Sequence, residues 1–105
     1  MTILEIHEQL TKMSANILLS KNKTYQGMST DGLANFKRLA NRFEHLSLDP
    51  QDVLLVLMEK HIDVIRQGSY GSDLDGLQER ICDVINYLVL LYGLEVERIL
   101  EDNDE

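Results

Sequence analysis

Apolar residues recur at helical spacing along nearly the whole chain, and no stretch alternates apolar and polar as a half-buried strand would. Ile3, Ile6, Leu10, Met13, Ile17 and Leu18 form one stripe, which predicts a first helix from Thr2 to Ser20. Thr2 and Glu5 have the spacing of a capping box, each side chain satisfying a free backbone N–H at the helix start. Lys21 to Thr30 is polar, contains Gly27 and is predicted as a loop. Leu33, Phe36, Leu39, Ala40 and Phe43 give an apolar face to a second helix between Thr30 or Asp31 and Leu46. Asp49 is a good N-cap, and Pro50 stands at the first helical position, where its missing N–H costs nothing. The third helix is therefore expected from Pro50 to Gln67. A second loop, Gln67 to Ser72, separates it from a fourth helix carrying Leu74, Leu77, Ile81, Val84, Ile85, Leu88 and Leu91. Ser72 and Asp75 suggest its cap. Gly93 is expected to end or bend it, with Leu94 to Leu100 adding a last turn or two.

Four helices joined by short loops predict an all-α, four-helix bundle-like single domain over residues 1–100, its neighbours mostly antiparallel. Residues 101–105 read as a frayed acidic tail. The fourth helix is apolar over more than half its circumference, with the main arc centred near Ile81 and Leu88. One bundle would bury that arc and leave Val89 and Leu90 near water. A second packing surface is expected, and with it a homodimer or higher homo-oligomer built partly on this helix.

Charge narrows the field. The 105 residues carry a net −8, which argues against direct binding to nucleic acid, since that affinity comes from neutralising phosphates with Lys and Arg. A carboxylate metal site, a basic protein partner and plain solubility all stay open. Cys82 is the only cysteine, so no disulfide forms within the chain and a reducing compartment is expected. No apolar run approaches the roughly 20 residues that span a bilayer, and Met1 to Glu5 lacks the basic start of a secretion signal. The cytoplasm is the expected location, without membrane attachment.

Candidate chemistry lies mainly on the third and fourth helices. Glu79 and Asp83 are four residues apart, which puts their carboxylates on adjacent turns beside Asn86. Such a pair can hold a hard cation such as Mg²⁺, or Asp83 can bond Arg80, Lys60 or a backbone donor. Glu59 and Asp63 repeat the spacing on the third helix, opposite its apolar arc, as a solvated face or as the second half of a four-carboxylate site. His61 falls near the centre of that arc and reads as a hydrogen-bonded core residue, and Cys82 as a buried inert thiol. Lys21, Lys23 and Tyr25 in the first loop could grip a phosphate and stack on a base, or simply face solvent. No phosphate-binding glycine loop and no Gly-x-Ser-x-Gly elbow is present.

The segment Lys21-Asn22-Lys23-Thr24-Tyr25-Gln26-Gly27, followed by Asn35-Phe36, resembles a pattern in small phage and prophage proteins of the nucleotide-modification-associated domain group: Lys-Asn-x-Asp-Tyr-Gly, then Asn-Phe. Lys60 in a helix and Asp83-x-x-Asn86-Tyr87 match that group's later half, so the resemblance covers about Ile17 to Tyr92. More distantly it is similar to all-α nucleotide pyrophosphohydrolases of the MazG and dimeric dUTPase type. These hold Mg²⁺ with Glu-x-x-Glu and Glu-x-x-Asp and cut a nucleoside triphosphate between its α and β phosphates. Here Glu59 to Asp63 and Glu79 to Asp83 are each one residue longer, Thr24 stands for an Asp, and Gln26 intervenes before Gly27.

The resemblance implies a nucleotide or nucleotide-derived ligand in a bacterial host cell. Glu59, Asp63, Glu79 and Asp83 would be the Mg²⁺ ligands, Lys21, Lys23 and Lys60 the phosphate contacts, Tyr25 the base stack and Asn86 the base reader. The ligand would be hydrolysed or merely sequestered. The competing expectation is a non-catalytic acidic helical protein that inhibits a basic host protein.

Overall fold

The computed structural model describes residues 1–26, 33–68 and 73–103, with the side chains of 22–26 and 35 outside the description. It is all-α: four α-helices and one short 3₁₀ turn hold nine-tenths of the described residues, and none of these is in a strand. No helix among them is long and apolar enough to cross a membrane.

α1 spans Ile3–Gln26. Its start follows the predicted capping box: Glu5 N–H donates to Thr2 Oγ1 at 3.1 Å and Thr2 N–H to Glu5 Oε2 at 3.2 Å. Its end does not follow the pattern, for the helix runs on through the segment predicted as a loop. Lys21 to Gln26 contains no glycine or proline, and its lysines and glutamine are good helix formers, so polarity alone does not stop it. Lys21 is thus a helical residue.

α2 spans Ala34–Arg42, shorter than expected, and passes through Phe43 into the 3₁₀ turn Glu44–Leu46. Ser47 closes that turn in the left-handed region at φ 58°. The predicted start at Thr30 or Asp31 lies outside the described residues.

α3 spans Pro50–Gln67, as predicted. Asp52 N–H donates to Asp49 Oδ1 at 2.9 Å, Asp49 N–H donates back to Asp52 at 3.1 Å, and Gly68 at φ 66° ends the helix.

α4 spans Leu74–Asn103. Ser72 lies outside the described residues, and Asp73 caps the helix by accepting from Asp75 N–H at 3.0 Å. Gly93 does not end it. A mid-helix glycine costs only about 1 kcal/mol, and the packing of Leu90 and Leu94 on either side outweighs that. Glu101 to Asn103, expected in a frayed tail, are the helix's last residues, tied by Arg98 to Asp102 at 3.1 Å; residues 104 and 105 lie outside the description.

α3 and α4 are antiparallel, as Gln51 meets Glu95 while His61 meets Arg80. α2 packs on α3 and reaches the second half of α4 through Lys37–Glu97 at 2.8 Å. α1 lies on the first half of α4, where Leu10, Ser14 and Lys21 meet Cys82, Asn86 and Asp83.

The apolar core is built from α2, α3 and α4, with Leu33, Phe36, Ala40, Val53, Leu54, Leu90 and Leu94 buried together. Two sequence expectations are corrected here. α1 only half-buries Ile6, Leu10, Met13, Ile17 and Leu18 of its apolar stripe, and Ser14 is its one fully buried residue among those described. α4 turns Cys82, Asp83, Asn86, Leu90 and Leu94 inward, while Leu88 is half exposed. Leu90 is thus core rather than near water, whereas Val89 is exposed as expected.

Candidate functional site

Where α1, α3 and α4 meet, the inward face of α4 changes from apolar to polar. Asp83 and Asn86 are both buried there. A buried carboxylate is costly unless partnered, and Asp83 is partnered by Lys21. Lys21 Nζ of α1 donates to its Oδ1 at 3.3 Å, and Oδ2 lies 3.6 Å from His61 Nδ1 of α3. Asn86 donates through Nδ2 to the Ser14 carbonyl at 3.0 Å, which fixes α1 against α4 below the charged group. No described buried side-chain nitrogen or oxygen is left without a hydrogen-bond partner.

His61 is the hub. Arg80, one turn before Asp83 on α4, donates from a guanidinium nitrogen to His61 Nδ1 at 3.0 Å. Accepting at Nδ1 requires the neutral tautomer protonated at Nε2. Burial pushes the imidazole pKa below its ordinary value of 6.5; Asp83 opposes that, while Arg80, Lys60 and Lys21 reinforce it. The Tyr87 ring lies beside the imidazole, centroids 5.4 Å apart and planes tilted by 36°. Burial, with Asp83 adding to it, likewise pushes the Cys82 thiol up, and its Sγ faces the Leu10 carbonyl at 3.6 Å.

Three cations and one carboxylate therefore act on a neutral imidazole.

The structure brings together Lys21, Asp83 and Asn86 of the expected site residues, with the exposed Lys60 near enough to act on His61. Lys23 and Tyr25 belong to α1 by backbone, and their side chains lie outside the described residues. Glu59, Asp63 and Glu79 are exposed, and no three His, Cys, Asp or Glu residues among those described gather as metal ligands. Among the described residues the four carboxylates are thus not assembled around a common point.

Sequence reasoning assigned Arg80 only as a possible bond to Asp83 and left His61 in the core. The signal was the spacing: Arg80, Asp83, Tyr87 and Leu90 follow at three- and four-residue steps, one continuous stripe that begins charged and ends apolar.

No family profile, no curated protein and no solved structure matches the chain.

Proposed function

We propose that this chain binds a nucleotide or a nucleotide-derived phosphorylated small molecule at the junction of α1, α3 and α4. The observation that carries the reading is the gathering of cations at the junction: Arg80 donates to His61 at 3.0 Å and Lys21 to the neighbouring Asp83 at 3.3 Å, with Lys60 also acting on His61. Phosphate oxygens are matched by ammonium and guanidinium donors, and the planar guanidinium of Arg80 suits two of them at once. The half-buried Tyr87 beside His61 offers an aromatic face for a base. The resemblance of residues 21–27 and 79–87 to the nucleotide-modification-associated proteins, and through them to the MazG type, supports the same ligand class. Its setting would be a bacterial cytoplasm during phage infection.

Binding in this form needs no metal. Whether turnover follows depends on Glu59, Asp63 and Glu79 reaching Asp83 around a Mg²⁺ ion. Self-association belongs to the same proposal, because α4 leaves Leu74, Leu88, Val89, Tyr92 and Ile99 exposed and the α1 stripe is only half-buried.

The test is calorimetric titration with nucleoside mono-, di- and triphosphates, in Mg²⁺ and in EDTA, followed by chromatography of the recovered nucleotide. Binding that persists in EDTA and weakens about ten-fold or more in both Lys21→Ala and Arg80→Ala is expected. Silence across the panel, or affinity indifferent to both substitutions, would sink the assignment. Nucleotide recovered intact means sequestration, while Mg²⁺-dependent product would return the four carboxylates to the site as ligands.

A further inference from the structure

The single chain is too open for its size. A monomeric protein of 12.1 kDa is expected to expose roughly 6,000 Å²; this one exposes 7614 Å². Its radius of gyration is 15.6 Å, against about 13 Å for a compact chain of this length. The excess of about 1,600 Å² is twice the roughly 800 Å² that each partner contributes to a stable interface of standard size.

The exposed apolar surface has a definite geometry. On α4, positions 74, 78, 81, 85, 88, 92, 95 and 99 follow at alternating steps of four and three. That is the hydrophobic repeat of a coiled-coil seam, sustained over more than three heptads. Six of the eight are apolar, and only Gln78 and Glu95 are polar. The row lies opposite the buried face of Asp83, Asn86 and Leu90. The described residues leave it largely open: Leu74 is 71% exposed and Tyr92 72%, Leu88 and Ile99 are half exposed, and Gln78, Ile81, Ile85 and Glu95 are half-buried. A seam of this length on a 30-residue helix, about 45 Å long at 1.5 Å per residue, runs the 48 Å long axis of the molecule.

We infer that a second copy of this chain covers this seam, its α4 running antiparallel. The inference rests on the self-association proposed above and adds its surface and register. The repeat is what distinguishes the orientations. Side by side in parallel, Glu95 would meet Glu95 of the partner subunit, like charge on like. Antiparallel about the midpoint between Ile85 and Leu88, every seam residue meets one of its own kind. Ile85 faces the partner's Leu88, Ile81 faces the partner's Tyr92, Leu74 faces the partner's Ile99, and Gln78 faces the partner's Glu95. The two polar positions pair with each other. Glu95 is already partly neutralised, accepting from Gln51 at 3.1 Å and from Arg98 at 3.0 Å. Because a two-fold axis brings the same patch to both subunits, the contact closes as a dimer and does not propagate.

Sedimentation equilibrium of the full chain at tens of micromolar tests the association, with an expected mass of about 24 kDa, twice the 12.1 kDa chain. A 12 kDa species would overturn self-association itself. Leu88→Glu tests the surface: it is expected to give the single-chain mass with the helical circular dichroism intact, because Leu88 is half exposed in the single chain and outside its buried core. A Leu88→Glu protein that still sediments as a dimer would place the interface elsewhere. Disulfide trapping tests the register, with fully buried Cys82 left in place. A mixture of Ile81→Cys and Tyr92→Cys chains is expected to cross-link between the two variants, and neither alone with itself. Self-cross-linking of Tyr92→Cys would make the pair parallel and overturn the register while leaving the association standing.

Discussion

Replacing Asp83 by asparagine is expected to weaken the fold and strengthen anion binding at once. The carboxylate is about one-tenth exposed and holds Lys21 Nζ at 3.3 Å. A hydrogen bond to a charged group contributes about 1.5–3 kcal/mol when protected, while an exposed ion pair contributes about 0–1 kcal/mol. The Lys21 side chain is 46% exposed, so solvent takes up much of what Asp83→Asn removes, and about 1.5 kcal/mol of stability should be lost. For a chain of this size that lowers the melting temperature by about 6–12 °C. The anion site moves the other way, because the only negative charge acting on His61 disappears and three cations are left. An anion about 6 Å from the former carboxylate, in surroundings of effective dielectric constant about 40, gains about 1.4 kcal/mol, a tenfold rise in affinity. Thermal unfolding followed at 222 nm gives the first quantity. Pyrophosphate titration by calorimetry at low salt and in EDTA gives the second. A melting point unchanged within about 1 °C would mean that the Lys21–Asp83 contact carries no stability. Weaker pyrophosphate binding would refute the electrostatic reasoning and make Asp83 part of the ligand's own cradle.

Three further outcomes follow from individual contacts. His61 has a lowered pKa in the fold, so below about 6.5 the unfolded chain takes up a proton that the folded chain refuses. The His61 share of stability is complete above that pH and is lost as pH falls through it, at no more than about 1.4 kcal/mol per pH unit. Melting curves from pH 5 to 8 should show the loss, and His61→Asn should reduce it; an identical pH profile in the variant would refute the assignment. Asp49→Ala removes the side-chain acceptor of the Asp52 N–H at the start of α3, while the residue-49 N–H can still donate to Asp52, and is expected to cost about 1 kcal/mol. Asp49→Ser should restore most of that in urea titrations, and no recovery would argue against a capping role. Cys82 is fully buried and its thiol is pushed up, so it should resist a thiol-disulfide reagent in buffer and react completely in urea.

The parts of the fold that could be read from the residues are those with local stop and start chemistry. Asp49-Pro50 and Gly68 mark both ends of α3, and Thr2 with Glu5 marks the start of α1. Where no such marker exists, composition misleads. Lys21 to Gln26 is polar enough for a loop, yet contains nothing that stops a helix, so α1 continues. Gly93 is a marker without effect, because a helix held by Leu90 and Leu94 absorbs its cost. The inward face of α4 was misassigned for a related reason. A helical wheel selects the most apolar arc, near Ile81 and Leu88, whereas the side that faces α1 and α3 carries Asp83 and Asn86. Burial there rests on partners 62 and 72 residues away in the chain, Lys21 and Ser14, and no local pattern encodes them. For the same reason Lys21, Lys60, Asp83 and Asn86 were legible as candidates, while the role of His61 as their meeting point was not.

That long separation also sets the order in which the protein can be made. α1 is synthesised first, but its anchor, the bond from Asn86 to the Ser14 carbonyl, closes a span of 72 residues. At about 5–20 residues per second, roughly 4–14 s pass between the two ends of that bond leaving the ribosome's catalytic centre. α2 and α3 are completed meanwhile, and they bury their core against the second half of α4, which emerges last of all. Throughout that interval α1 is an amphipathic helix whose larger docking surface, α4, is still missing and which has only α2 to pack on, so nascent-chain cross-linking should find it bound by chaperone until α4 has been made.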